Sequence, residues 1–151
     1  MEYLYLFLNS FISATLFPLG SEALLLYYLS LKFNFIYLLL FASLGNTIGS
    51  ILNYWFGLKG EQYLVEKKMI KEKNIIKYKK YFDKYGAFTL LLSWVPIIGD
   101  GFTFIAGILK YDIKKFIILV FIAKFSRYAF LIYGYFYFSS WYLLYYKIFY
   151  E

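Results

Sequence analysis

Pro18-Leu19-Gly20-Ser21-Glu22 and Pro96-Ile97-Ile98-Gly99-Asp100 contain the only two prolines of the chain, and each places an acid four residues after its proline. Each motif interrupts an apolar stretch near its middle, residues 3–31 in the first case and 86–109 in the second. Two further stretches, 35–58 and 116–138, are uninterrupted and long enough to cross a hydrocarbon core, which takes ~20 helical residues. One offset of 78 residues carries Pro18 onto Pro96, Glu22 onto Asp100 and Phe35 onto Ile113. The chain 1–151 therefore reads as a single domain built on a repeat, with halves at about 1–58 and 86–138 joined by the segment 59–85. Each half is a broken apolar segment followed by an intact helix.

Composition sets the solvent. The 151 residues are 62% hydrophobic and only 17% charged, with a mean hydropathy of +0.60. A soluble domain is roughly 45–50% apolar and about 25% charged, and a small domain cannot hide such an excess in one core. The expected class is an all-α integral membrane protein. The chain opens Met1-Glu2-Tyr3 with no basic region, so the first apolar stretch is expected to stay in the mature protein.

The same counts narrow the chemistry. With no cysteine and no histidine, disulfides, thiolate or imidazole metal sites and histidine-based triads are excluded. No nucleophile–base pair and no repeated aspartate motif is visible, so neither an enzyme nor a bound cofactor or metal is expected. The net charge is +7, but the apolar runs leave no basic module for nucleic acid.

Charge placement predicts topology. Nine lysines fall in 59–85 and three more, Lys110, Lys114 and Lys115, in the connection 110–115, against Lys32 alone in 31–34. The positive-inside rule puts both rich connections in the cytoplasm. Segment 86–109 then enters and leaves on one face, as a re-entrant hairpin turning at Pro96 and Gly99. By the repeat, 3–31 dips from the other face and turns at Pro18 and Gly20. The resulting architecture is an inverted repeat of two re-entrant helical hairpins plus two spanning helices, an arrangement common in secondary transporters. Four ordinary spanning helices, two of them kinked, are the simpler geometry but oppose the charge bias. Within 59–85, Ile75, Tyr78, Tyr81 and Phe82 share a helical face with lysines around it, which suits an amphipathic helix on an anionic leaflet. The aromatic tail from 139 suits an interfacial anchor.

Glu22 and Asp100 are the candidate functional carboxylates. An acid within the bilayer costs ~2.5–3.5 kcal/mol on the insertion scale and usually faces a cavity or a partner. The plainer role is capping a helix start. Lys124 and Arg127 lie three residues apart on one helix face, and Arg127 falls near mid-membrane by residue count. Arg127 is expected to pair with Asp100 or Glu22 or to bind an anion, and the depth of its hairpin tip makes Asp100 the expected partner. On the first intact helix Asn46, Ser50, Asn53 and Gly57 form a polar stripe beside the pair Gly45 and Gly49. The stripe suits close helix packing, or one wall of a polar cavity opposite Arg127.

Taken together, these residues resemble the DedA (SNARE-associated, VTT-domain) family. The likeness runs from Phe17-Pro18-Leu19-Gly20-Ser21-Glu22 through Gly45-Asn46, Gly49, Asn53-Tyr54, Gly57 and Gly60 to Lys124-x-x-Arg127-Tyr128. Lys84-Tyr85-Gly86, Ser93-Trp94-Val95-Pro96-Ile97-Ile98-Gly99-Asp100 and Ala106-Gly107 look most like its short YqaA-like branch. The resemblance implies a bacterial inner-membrane protein that moves phosphate-bearing lipids, phospholipid or polyprenyl phosphate, between leaflets as a flippase or scramblase. Protons are the expected coupling ion and membrane lipids the partners, and a homo-oligomer stays open. Glu22 matches the family's essential acid. Ser50 stands where better-studied members carry an aspartate, and Ser93 and Gly99 where they carry arginines, so Asp100, Lys124 and Arg127 are expected to serve the phosphate instead. A non-transporting scaffold for envelope integrity and a membrane phosphotransferase or hydrolase are the alternatives.

Overall fold

The computed structural model describes residues 1–15, 20–67, 72–95 and 98–150. Both prolines, Pro18 and Pro96, lie outside that description. The regular elements among the described residues are all helices: α1 (Glu2–Thr15), α2 (Ser21–Ser30), α3 (Phe35–Glu66), α4 (Glu72–Leu91), a 3-10 turn (Leu92–Trp94), α5 (Ile98–Ile108) and α6 (Ile113–Tyr150).

The offset of 78 recurs at the level of single hydrogen bonds. After α2, Lys32 takes a left-handed φ of 62°, and its N–H donates to Leu29 O while that of Phe33 donates to Tyr28 O. After α5, Lys110 takes a φ of 52°, with the N–H of Lys110 on Gly107 O and that of Tyr111 on Ala106 O. Both are Schellman closures of a helix end. They use lysine where glycine would be strain-free, and they fall at the same offset of 78. Two residues later each intact helix is capped. Asn34 Oδ1 accepts from the N–H groups of Ile36 and Tyr37, and Asp112 Oδ1 accepts from that of Lys115.

The intact helices exceed the apolar stretches that mark them. Helix α3 runs to Glu66 rather than 58, and α6 spans 113–150 rather than 116–138. Hydropathy ends where charge begins, but helix-forming Lys, Glu, Gln and Leu carry the backbone on. The basic segment 59–85 is accordingly not a free-standing amphipathic unit. Its first part completes α3, and the part from Glu72 belongs to α4, which runs unbroken to Leu91 as the first arm of the second hairpin. Of the face expected to be apolar, Ile75 is buried whereas Tyr78 and Tyr81 are exposed.

Small residues on α3 seat it between the hairpins. A Cβ at Gly45 or Gly49 would strike the α1 backbone at Phe7 or Phe11, and one at Gly57 would strike α5 at Phe104. Two apolar clusters flank this seam. One joins Leu6, Leu25, Tyr28, Leu38 and Tyr128, and the other joins Tyr54, Leu90, Phe116 and Val120. Less than half of the apolar window of either long helix is buried. Ile48, Phe56, Ile118 and Phe130 point outward, a surface suited to lipid rather than water.

Candidate functional site

Two ion pairs join the short hairpin helices to α6. Glu22 and Asp100 each sit in the first turn of their helix, α2 and α5, where the helix dipole favours an anion. Their carboxylates meet side chains rather than the backbone in the described hydrogen bonds. Lys124 Nζ donates to Asp100 Oδ1 at 2.7 Å, and Arg127 donates through Nε at 2.6 Å and through a terminal nitrogen to Glu22 Oε1. The expected partnership of Arg127 with Asp100 is therefore corrected to Glu22. Helix α5 meets α6 one turn earlier, where Lys124 already holds Asp100, and α2 meets it at Arg127. Lys124 is wholly buried, whereas Glu22 keeps about a quarter of its side chain accessible (24%).

That accessible edge opens into a cleft of about 300 Å³ lined by Glu22, Trp94, Val95, Arg127, Phe130 and Leu131. The cleft lies between α2, the 3-10 turn of the second hairpin, and α6.

The α3 stripe lies elsewhere. Asn46 Nδ2 donates to Tyr128 Oη at 2.9 Å, and the Tyr128 hydroxyl donates to Ser21 Oγ at 2.9 Å. Ser50 returns its hydroxyl to Asn46 O. Asn53 Nδ2 reaches both Ala14 O at 2.8 Å and Thr103 Oγ1 at 3.4 Å, tying the end of α1 to α5. These three residues work in helix packing, and none lines the Glu22–Arg127 cleft, because α1, α5 and α6 cover their face. Asn46 Oδ1 and Ser10 Oγ are buried without a partner among the described residues, as polar atoms beside a buried water would be.

Gly20 precedes α2 with a right-handed φ of −93°, and Gly99 is the second residue of α5. Neither supplies a left-handed turn. A Cβ at Gly99 would strike the backbone of Ser93, so this glycine permits close approach of the two arms. Ser93 is itself buried.

Sequence reasoning left out Tyr128, Ser21, Thr103, Trp94 and Phe130 as site residues. Tyr128 sits beside Arg127 and one turn after Lys124, the one signal that separated it from the other 18 tyrosines.

A VTT domain model matches residues 17–136. An uncharacterized protein of Haemophilus influenzae is 31% identical over 137 residues, covering 85% of this chain and 84% of the relative. The inner membrane protein YqaA of Escherichia coli is 33% identical over 125 residues, 82% and 84% of the two chains. The undecaprenyl phosphate transporter A of Bacillus subtilis is 29% identical over 85 residues, 53% of this chain and 43% of the relative. No solved structure matches the chain.

Proposed function

Because the chain belongs to the VTT-domain (DedA) family of membrane proteins, we propose that it moves a phosphate-bearing lipid between leaflets of the bacterial inner membrane. The observation that carries this reading is the Glu22–Arg127 pair opening into a cleft between the two hairpins. Arginine stays charged and binds phosphate through two parallel N–H donors. A lipid phosphate entering the cleft takes the place of the Glu22 carboxylate on Arg127. The displaced Glu22 takes up the coupling proton, and giving it up again on return to Arg127 expels the phosphate. Asp100 and Lys124 hold the second hairpin against α6 during the exchange. The transporter named among the relatives supports a lipid cargo, and this chain's lipid belongs to the same class of phosphate-bearing amphiphiles.

In this reading the two hairpins are re-entrant from opposite faces, with residues 72 and 112 cytoplasmic and residue 33 outside. Single cysteines at those positions, in a chain without native cysteine, test it with an impermeant thiol reagent. Labelling of 72 and 112 from opposite sides overturns the re-entrant second hairpin.

The carboxylate is tested by Glu22→Gln in vesicles carrying labelled lipid. The amide keeps the shape and can still accept from Arg127, but it cannot titrate. Loss of leaflet exchange in a protein that still inserts and folds is the expected result. Full exchange across pH would reduce Glu22 to a helix-start residue. Headgroup cleavage by the parent protein would point to a hydrolase, and neither exchange nor cleavage to a scaffold.

A further inference from the structure

Arg127, the pair Phe130 and Leu131, the pair Gly134 and Tyr135, and Phe138 recur along α6 with spacings of three and four from one to the next, which places them on one helical face. Phe130 and Leu131 line the Glu22–Arg127 cleft and also a second, larger cavity of about 750 Å³. That cavity is completed by Leu26 of α2 and by Gly134, Tyr135, Phe138 and Ser139 of α6. The two spaces thus share a wall, with a cation at one end and, from Phe130 onward, almost wholly apolar lining.

We propose that this α2–α6 groove is the binding site for the hydrocarbon chain of the lipid whose phosphate sits on Arg127. The inference rests on the lipid reading above and adds where the tail goes. Charge is placed as a single amphiphile requires: the guanidinium lies at the head end, and Leu26, Leu131, Tyr135 and Phe138 lie beyond it. From Arg127 to Phe138 the groove wall rises about 16 Å, eleven steps of 1.5 Å. Gly134 supplies the width. A Cβ built there meets no atom within 4 Å, so the glycine faces open space inside the groove and answers no packing demand of the protein itself. Gly101 of α5 is likewise open, whereas Gly45, Gly57 and Gly107 press against neighbouring backbone.

Gly134→Phe places a ring in the groove at a position where the first side-chain carbon meets no neighbour. In vesicles of anionic phospholipid containing a labelled long-chain phospholipid, the variant should melt as the parent does. Its leaflet exchange should fall about tenfold or more, equivalent to about 1.4 kcal/mol of lost tail binding. Exchange of a labelled short-chain analogue with the same headgroup should persist. Parent-like exchange of the long-chain lipid by Gly134→Phe overturns the groove and leaves the transport reading standing.

A second measurement separates the two in the other direction. A phospholipid with a photoreactive group near the end of its chain is irradiated in the same vesicles and its adducts are mapped by mass spectrometry. Enrichment on Phe130–Phe138 over Ile48, Phe56, Ile118 and Ile122, which are also exposed, supports the groove. It does so even if the parent protein moves no lipid, a result that would sink the transport reading alone. Even labelling over all these outward residues would mean ordinary bilayer contact and overturn the groove.

Discussion

The two halves share their backbone and divide their chemistry. Their helix closures at Lys32 and Lys110, and their caps at Asn34 and Asp112, coincide at one offset. Each hairpin offers one acid, Glu22 or Asp100, at the start of its short helix. The intact helices then part company. At the position of Lys124 in α6, α3 carries Asn46, and at that of Arg127 it carries Gly49. Both cations therefore stand on the second half, so Asp100 is neutralised within its own repeat and Glu22 across the repeat boundary. A duplicated scaffold supplies symmetric places for two carboxylates, whereas one helix supplies everything that holds them. The pair that crosses the boundary opens into a cleft, and it is also the more accessible.

The strongest way to break this comparison is to remove a buried cation. Lys124→Met leaves Asp100, 17% accessible, without its wholly buried partner, a loss of ~3–5 kcal/mol for a broken buried pair. Arg127→Gln leaves Glu22 with a quarter of its surface accessible, and the cost should be smaller, about 1.5–3 kcal/mol for a lost charged hydrogen bond. Double variants sharpen the assignment. Lys124→Met with Asp100→Asn, and Arg127→Gln with Glu22→Gln, should each recover part of the single losses. Asp100→Asn with Arg127→Gln should show weaker coupling than either. Thermal melts in detergent decide it, and strongest coupling in the last combination would reverse the pairing.

Next in size are the glycine contacts that clasp α3 from both sides. A Cβ at Gly49 would meet Ala14 and the α1 backbone, and one at Gly107 would meet the α3 backbone at Tyr54. Gly49→Ala and Gly107→Ala should each destabilise by about 1–3 kcal/mol through overpacking. Gly134→Ala, in open space, should be neutral or gain up to about 1 kcal/mol of helix propensity. If either clasp variant melts as the parent does, that hairpin is not seated on α3 as closely as its counterpart.

Much of this architecture was legible because prolines, acids and apolar lengths are scarce or long-range features. Two prolines and two acids share one spacing, and the same offset carries Phe35, where α3 begins, onto Ile113, where α6 begins. Helix ends were not legible from hydropathy, since Gln62, Glu66 and the lysines after Leu58 end an apolar run without ending a helix. The ion-pair partners were not legible either. A residue count gives depth but not azimuth, and Asp100 and Glu22 lie at matched positions of the repeat, so either could meet Arg127 until the crossing of α2 and α5 over α6 was known. The polar stripe Asn46, Ser50 and Asn53 was visible, but which helices covered it was not. The cleft and groove depended on Trp94, Phe130 and Phe138, and in a chain with 26% aromatic residues no single ring stands out.

The smallest expected effect tests the symmetry most directly. Asn34 and Asp112 occupy the same place in the two halves, each accepting backbone N–H groups at the start of a long helix. Replacing such a cap by alanine costs about 1 kcal/mol, so Asn34→Ala and Asp112→Ala should lower stability by similar amounts. Asp112 differs by its charge, which adds a favourable interaction with the helix dipole of about 0.3–1 kcal/mol at low ionic strength. Asp112→Ala should therefore be the more costly in dilute buffer, and the gap should close at 1 M salt, where the screening length falls to about 3 Å. Melting both variants in detergent at the two salt concentrations measures this. A gap that persists unchanged at high salt would mean that the two closures differ in packing as well as charge, and the match between the halves would then stop at the turns.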